Sequence, residues 1–223
     1  YAAEALLRIH DKNGNFISPA EAIPILEESG LIIPVGKWII QNAFSMCTEC
    51  RKYYPEFRVS INLSYVQILK SPLMMELKQM IDHSGISCSG IIVELTESGY
   101  LEGTPAVRSV WNDMKQLRIQ IALDDFGTGY SNLMNISNLE PDIVKLDRGF
   151  TLKALSRSYE YQLMQYVIEM VHKLNQYVCV EGVETKEDLE KIKALGPDLI
   201  QGYYYSKPCS RNEFLKKFFC YSE

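Results

Sequence analysis

Glu4, Asn62, Glu94, Asp124, Asp125 and Glu181 carry oxygen donors, and Lys145 is the cation nearest them in pattern. Most of them close short apolar runs. Residues 57–61 end at Asn62, 91–93 at Glu94, 119–123 at Asp124 and Asp125, and 142–144 at Lys145, with Asp147 two positions on. Residues 177–180 end at Glu181 and 199–200 at Gln201, while Glu4 lies inside the short run 2–6. Five carboxylates gathered at one place would repel one another unless cations neutralised them. An oxygen-only donor set without a His or Cys cluster favours hard Mg²⁺ or Mn²⁺. Two such ions, about 3.5–4 Å apart, would clamp the attacking and leaving oxygens of a phosphoryl displacement. Lys145 could then orient the attacking water and a carboxylate could take its proton. Two other readings stay open: solvent-facing acids at strand ends, and a carboxylate pair for glycoside hydrolysis, which leaves the remaining acids unexplained.

The elements that must position these groups follow from the same pattern. Continuous apolar runs suit parallel strands covered on both faces. Between them stand helix signals. Ser18-Pro19-Ala20-Glu21 has the form of a capping box with proline at the first helical position, and Gly30 stands where a C-terminal cap would. Thr185-Lys186-Glu187-Asp188 repeats that start, and Gly196-Pro197 closes the helix it opens. Over residues 151–175, Leu155, Leu163, Val167, Met170, Val171 and Leu174 suit one face of a single long helix. Strands alternating with helices imply a parallel sheet. Polar groups at so many strand ends favour a barrel, which gathers every strand end at one mouth, over an open sheet, whose ligands sit at a switch point. The expected fold is therefore α/β, a TIM-type (β/α)8 barrel lacking its first strand at the N-terminus of this chain. No linker divides the sequence, so residues 1–223 are expected to be a single domain, excised from a larger protein.

Composition narrows the function. The chain has 223 residues, 47% hydrophobic and 23% charged, with a formal net charge of −5. That is ordinary globular composition and lacks the basic excess of a protein that binds DNA or RNA polymers. No run of 18 or more apolar residues suggests a membrane span. Six cysteines are too sparse for a disulfide scaffold, and Cys47-x-x-Cys50 has no second pair at zinc spacing, so packing is expected of it. A reduced, cytoplasmic setting is expected, including the cytoplasmic part of a membrane-tethered protein.

The ordered motifs Glu4-Ala5-Leu6-Leu7-Arg8, Asn62-Leu63-Ser64, Glu94-Leu95-Thr96-Glu97-Ser98 and Asp124-Asp125-Phe126-Gly127-Thr128-Gly129-Tyr130-Ser131 are specific as a set. Lys145-Leu146-Asp147, Glu181-Gly182-Val183-Glu184 and Gln201-Gly202 complete it. The chain resembles, over essentially its whole length, the EAL-domain family of cyclic di-GMP-specific phosphodiesterases. The resemblance implies a metal-dependent hydrolase that opens cyclic di-GMP to linear pGpG, using two Mg²⁺ or Mn²⁺ ions in bacterial second-messenger signalling. It implies that Glu4, Asn62, Glu94 and Asp124 hold one metal, and that Asp124 bridges to a second held with Asp125 and Glu181. Lys145 would hold the nucleophilic water, and Glu181 would be a metal ligand or the general base. Leu6, Arg8, Asp147, Glu184 and Gln201 would contact substrate, Arg8 at a phosphate. Residues 125–135 resemble a regulatory loop tied to dimerisation: Phe126, Gly127, Thr128, Gly129, Tyr130 and Ser131, anchored by Glu97. A homodimer and further domains, GGDEF or sensory, are implied partners. The alternative is a catalytically silent cyclic di-GMP receptor that signals through a partner domain.

Other features invite plainer readings. His10, His83 and His172 show no ligand spacing. Tyr203-Tyr204-Tyr205 suits a structural role beside a strand end, Trp38 and Trp111 suit helix core faces, and residues 216–219 suit the end of an amphipathic helix.

Overall fold

The computed structural model describes residues 2–96, 104–128, 136 and 139–219. They fall into two compact units, one formed by residues 1–94, 102–120 and 210–223, the other by 95–101 and 121–209. Expectations placed on Glu97, Gly129, Tyr130 and Ser131 lie outside the described residues.

In the first unit, parallel strands β1 (Ala2–Ala5), β4 (Arg58–Asn62) and β5 (Ile91–Thr96) lie side by side in chain order. A small hairpin, β2 (Ile9–His10) and β3 (Phe16–Ile17), leads into α1 (Pro19–Glu28) and α2 (Ile32–Cys50). Helices α3 (Tyr65–Lys70) and α4 (Leu73–Ser84) join β4 to β5, and α5 (Pro105–Gln116) and the last helix (Arg211–Phe219) complete the unit. Its core holds Phe44, Cys47, Cys50, Phe57, Leu77 and Ile91, all essentially without solvent contact. Proline opens α1 as expected, but the Ser18 side chain makes no cap hydrogen bond. Gly30 takes the left-handed conformation, φ 75°, just past the Ser29 cap.

Helix α2 buries Ile32, Gly36, Ile40, Ala43, Phe44, Cys47 and Cys50, a stripe at three- and four-residue spacing. Trp38, two residues beyond Gly36, is turned about 200° away at 100° per residue. It is 59% exposed, which corrects its expected core position; Trp111, at 5%, is buried as expected.

The second unit carries β6 (Gln120–Phe126), β7 (Ile143–Leu146), β8 (Tyr177–Val180) and β9 (Leu199–Ile200), again parallel and in chain order. Between β7 and β8 the single long helix expected over 151–175 is two: α6 (Arg148–Ser156) and α7 (Ser158–Lys173). Arg157 is extended (φ −137°, ψ 130°) and separates them. The Ser156 hydroxyl donates to the carbonyls of Leu152 and Lys153, satisfying the last turn of α6 from within. The break resets the helical phase. Met164 and Ile168 join the expected Val171 as the buried residues of α7, whereas the expected Leu163 and Leu174 are 43% and 50% exposed. Helix α8 (Lys186–Lys193) begins with the capping box read from sequence: Asp188 N donates to Thr185 Oγ1 and Thr185 N to Asp188 Oδ2, both at 3.1 Å. The helix Arg211–Phe219 is α9 in this numbering.

No helix among the described residues is long and apolar enough to cross a membrane. Cys47 and Cys50 pack in the core as expected. Burial pushes the Cys47 thiol up to about 11 and the Cys50 thiol to about 12 from an ordinary value of 9.0. Above pH 9 the unfolded chain sheds these protons while the folded chain keeps them. Stability therefore falls as pH rises from 9 toward 12. Urea unfolding in that window is expected to show this slope, and Cys47→Ala with Cys50→Ala to flatten it.

Candidate active site

Each unit presents its own set of polar strand-end groups. In the first, Glu4 registers with Ser60, and Asn62 with Glu94. Registered residues of parallel strands share a face, and alternate residues of one strand do too. Glu4, Asn62 and Glu94 therefore lie on one face of the three-stranded sheet. Asn62 Nδ2 donates to Glu4 Oε1 at 2.8 Å. With its nitrogen committed to Glu4, the amide has its carbonyl oxygen left as the ligating atom. Glu94 is 3% exposed.

Local sequence fixes this geometry. The ladder runs one residue past β4, where Leu63 N donates to Glu94 O. Ser64 then caps α3 in a capping box with Gln67 and also donates to Glu27 at 2.6 Å. Gln67 is buried against Gly36, where a Cβ would stand 2.2 Å from its Nε2. A side chain at position 36 would displace the Gln67 amide, which completes the capping box that opens α3.

In the second unit, Lys145 is 3% exposed and registers with Cys179, two residues before Glu181. Its ammonium reaches Asp124 Oδ1 at 3.1 Å and Glu181 Oε1 at 2.8 Å. On β6, Leu123 registers with Val144 and Phe126 with Leu146, so the β6–β7 pairing shifts across Asp124 and Asp125. Asp125 is the extra residue of this bulge and sits at φ 61°. Asp124 is 8% exposed, whereas Asp125 faces solvent. Asp125 N donates to Asp124 Oδ1 at 3.0 Å. A regular strand would aim consecutive aspartates at opposite faces, and the bulge is what re-aims Asp125.

The other expected contacts separate by role. Leu6 and Arg8 are exposed; Arg8 donates to Leu7 O and lies 6.0 Å over the Phe16 ring. Asp147 caps α6 through Gly149 N at 2.7 Å. Gln201 directly follows β9, its amide donating to Val180 O. Glu184 accepts from Arg148, which the sequence reading passed over because an arginine after Lys-Leu-Asp carries no motif of its own. Phe126 is buried, Gly127 has φ 103°, and Thr128 is exposed.

Within either unit, no three Asp, Glu, His or Cys side chains of the described residues form a metal cage by themselves. The donor chemistry nevertheless fits a hard divalent ion. It is oxygen throughout, the Asn62 amide is oriented by Glu4, and a carboxylate holding Lys145 through one oxygen has a second.

Parallel strands joined through helices, with the polar groups at strand ends, define a protein of the TIM-type (β/α)8 class. An EAL enzyme, Bd1971, solved with cAMP and cyclic di-GMP bound, matches with a TM-score of 0.90 and 30% identity, covering 96% of this chain and 59% of that one. The EAL domain family model matches residues 1–208, and the chain belongs to that family. The Escherichia coli (strain K12) cyclic di-GMP phosphodiesterase PdeF is 32% identical over 205 residues, 92% of this chain and 27% of its own length. This chain thus spans about a quarter of that curated relative. Klebsiella pneumoniae BlrP1, solved with calcium and cyclic di-GMP, is 25% identical with a TM-score of 0.80, covering 93% of this chain and 51% of that one.

Lys145 is boxed by acids, so Lys145→Met is expected to cost about 3 kcal/mol or more, because it strands two poorly solvated carboxylates. Chemical denaturation checks this, and adding Asp124→Asn and Glu181→Gln should recover much of the loss. The left-handed backbone at Asp125 makes a separate forecast: Asp125→Ala should be less stable than Asp125→Gly by about 1 kcal/mol in the same measurement.

Proposed function

We propose that this chain is a cyclic di-GMP phosphodiesterase domain that hydrolyses one phosphodiester bond of its substrate to give linear pGpG. Membership of the EAL domain family supports the reading. The observation that carries it is the buried Lys145 holding Asp124 and Glu181 together, because it gathers a cation and two acids where a water could be oriented and deprotonated. Glu4, Asn62, Glu94 and Asp124 would hold one ion, and Asp124, Asp125 and Glu181 a second. The Mg²⁺ or Mn²⁺ pair would supply Lewis-acid stabilisation of the phosphoryl oxygens and lower the pKa of water. Lys145 donates to the attacking water and fixes its direction. Glu181, whose carboxylate already touches Lys145, accepts the proton of the attacking water or serves as an ion ligand. Arg8 binds a phosphate, and Leu6, Asp147, Glu184 and Gln201 complete the substrate pocket. The same reading extends to a homodimer controlled through the loop at residues 125–135, to additional domains in a longer protein, and to a cytoplasmic location.

Incubation with cyclic di-GMP and Mg²⁺ or Mn²⁺, followed by chromatography, is expected to yield pGpG. Recovery of cyclic dinucleotide alone, from protein whose fold is verified by circular dichroism, would overturn the proposal. Nucleotide binding without cleavage would point to the silent receptor instead. Glu4→Ala removes an ion ligand and the partner of Asn62, so turnover should drop by about 100-fold or more. Near-normal activity in that variant would contradict the ligand assignment.

A further inference from the structure

Residues 181–184 follow β8 and carry an acid at each end. Glu181 is held inward by Lys145. Glu184, at the other end, is held by Arg148, the first residue of α6: Nε donates to Glu184 Oε1 at 3.2 Å and an Nη at 2.8 Å. Both bonds fall on one oxygen, so Oε2 keeps its accepting capacity. The hydrogen bond to Glu184 also pushes the Arg148 guanidinium to hold its proton more tightly.

Contacts on both sides of the segment make this pairing specific. Gly182 has φ 78° and lies on the Arg148 stem, where an added Cβ would stand 2.3 Å from Cγ and 3.0 Å from Cα of Arg148. On the opposite side, a Cβ at Gly202 would stand 2.1 Å from Val183 O. Val183 N donates to Gln201 O, and Tyr204 N donates to Val183 O. The backbone is therefore clamped between the Arg148 stem and the turn after β9, while the guanidinium reaches past Gly182 to Glu184. A lysine could deliver charge to this position but not two donors to one oxygen.

We infer that Arg148 is a positioning residue that presents the Glu184 carboxylate to the substrate and so sets substrate affinity, leaving turnover to the Lys145–Glu181 pair. The inference rests on the phosphodiesterase reading above. Glu181 has its own anchor in Lys145, which is why loss of Arg148 reaches one end of the segment and spares the other.

The test is steady-state hydrolysis of cyclic di-GMP by the wild type, Arg148→Ala, Arg148→Lys and the surface control Arg157→Ala, with amide hydrogen exchange of the nucleotide-free proteins alongside. Arg148→Ala should raise KM about tenfold and keep kcat within about threefold, the pattern of a lost contact made equally in ground and transition states. Arg148→Lys should fall between it and the wild type, and Arg157→Ala should match the wild type. Amides of residues 183–184 should exchange faster in Arg148→Ala, while those of β8 stay protected. An unchanged KM, or a fall in kcat at constant KM, with an active wild type, overturns this inference alone. A wild type that leaves cyclic di-GMP intact overturns the phosphodiesterase reading; the exchange comparison then still decides whether Arg148 holds the segment, and unchanged exchange would sink that too.

Discussion

A lysine ammonium taken out of water must find its counter-charges inside the protein, and Lys145 meets that demand with Asp124 on one neighbouring strand and Glu181 just past the other. The requirement runs in both directions, because neither acid would tolerate a dry strand end without the cation. Parallel register supplies the geometry: Lys145 stands opposite Cys179, so the residue two positions on shares its face. The groups proposed for chemistry are thus also the groups that hold three strand ends together, so a change to any of them acts on stability.

Around that core interaction, small backbone irregularities do the aiming. The bulge at Asp125 breaks the strict alternation of faces that a regular strand would impose on two consecutive aspartates. In the other unit the device is an amide. Asn62 commits its nitrogen to Glu4, which leaves the amide oxygen as an acceptor beside the acids without the repulsion that another carboxylate would add. The glycines that matter act through close approach: Gly36 admits Gln67 beneath the turn that carries Asn62, and Gly182 admits the Arg148 stem beneath the segment that carries Glu181 and Glu184.

Family membership and this local physics bear on different questions. The family model and the solved relatives fix the fold of the chain, while the longer relatives show such domains built into larger proteins. The ion pairs, the bulge and the Asn62 amide explain why a set of oxygen donors without histidine or thiolate suits a hard cation.

The strands were legible in the residues alone, because an apolar run that halts at a polar side chain is a local signal; the cap at Thr185 and the thiol packing were legible for the same reason. What only the tertiary structure decided was phase and partnership. The extended Arg157 ended α6 and reset the buried face of α7, Trp38 fell on the far side of α2 from the core stripe, and Asp124 is buried where Asp125 is not. Arg148 became visible only once α6 was set beside the turn after β8. Sequence spacing determines which residues can share a face of one element. Register between strands and rotation between helices determine which faces meet, and those are settled by packing among segments far apart in the chain.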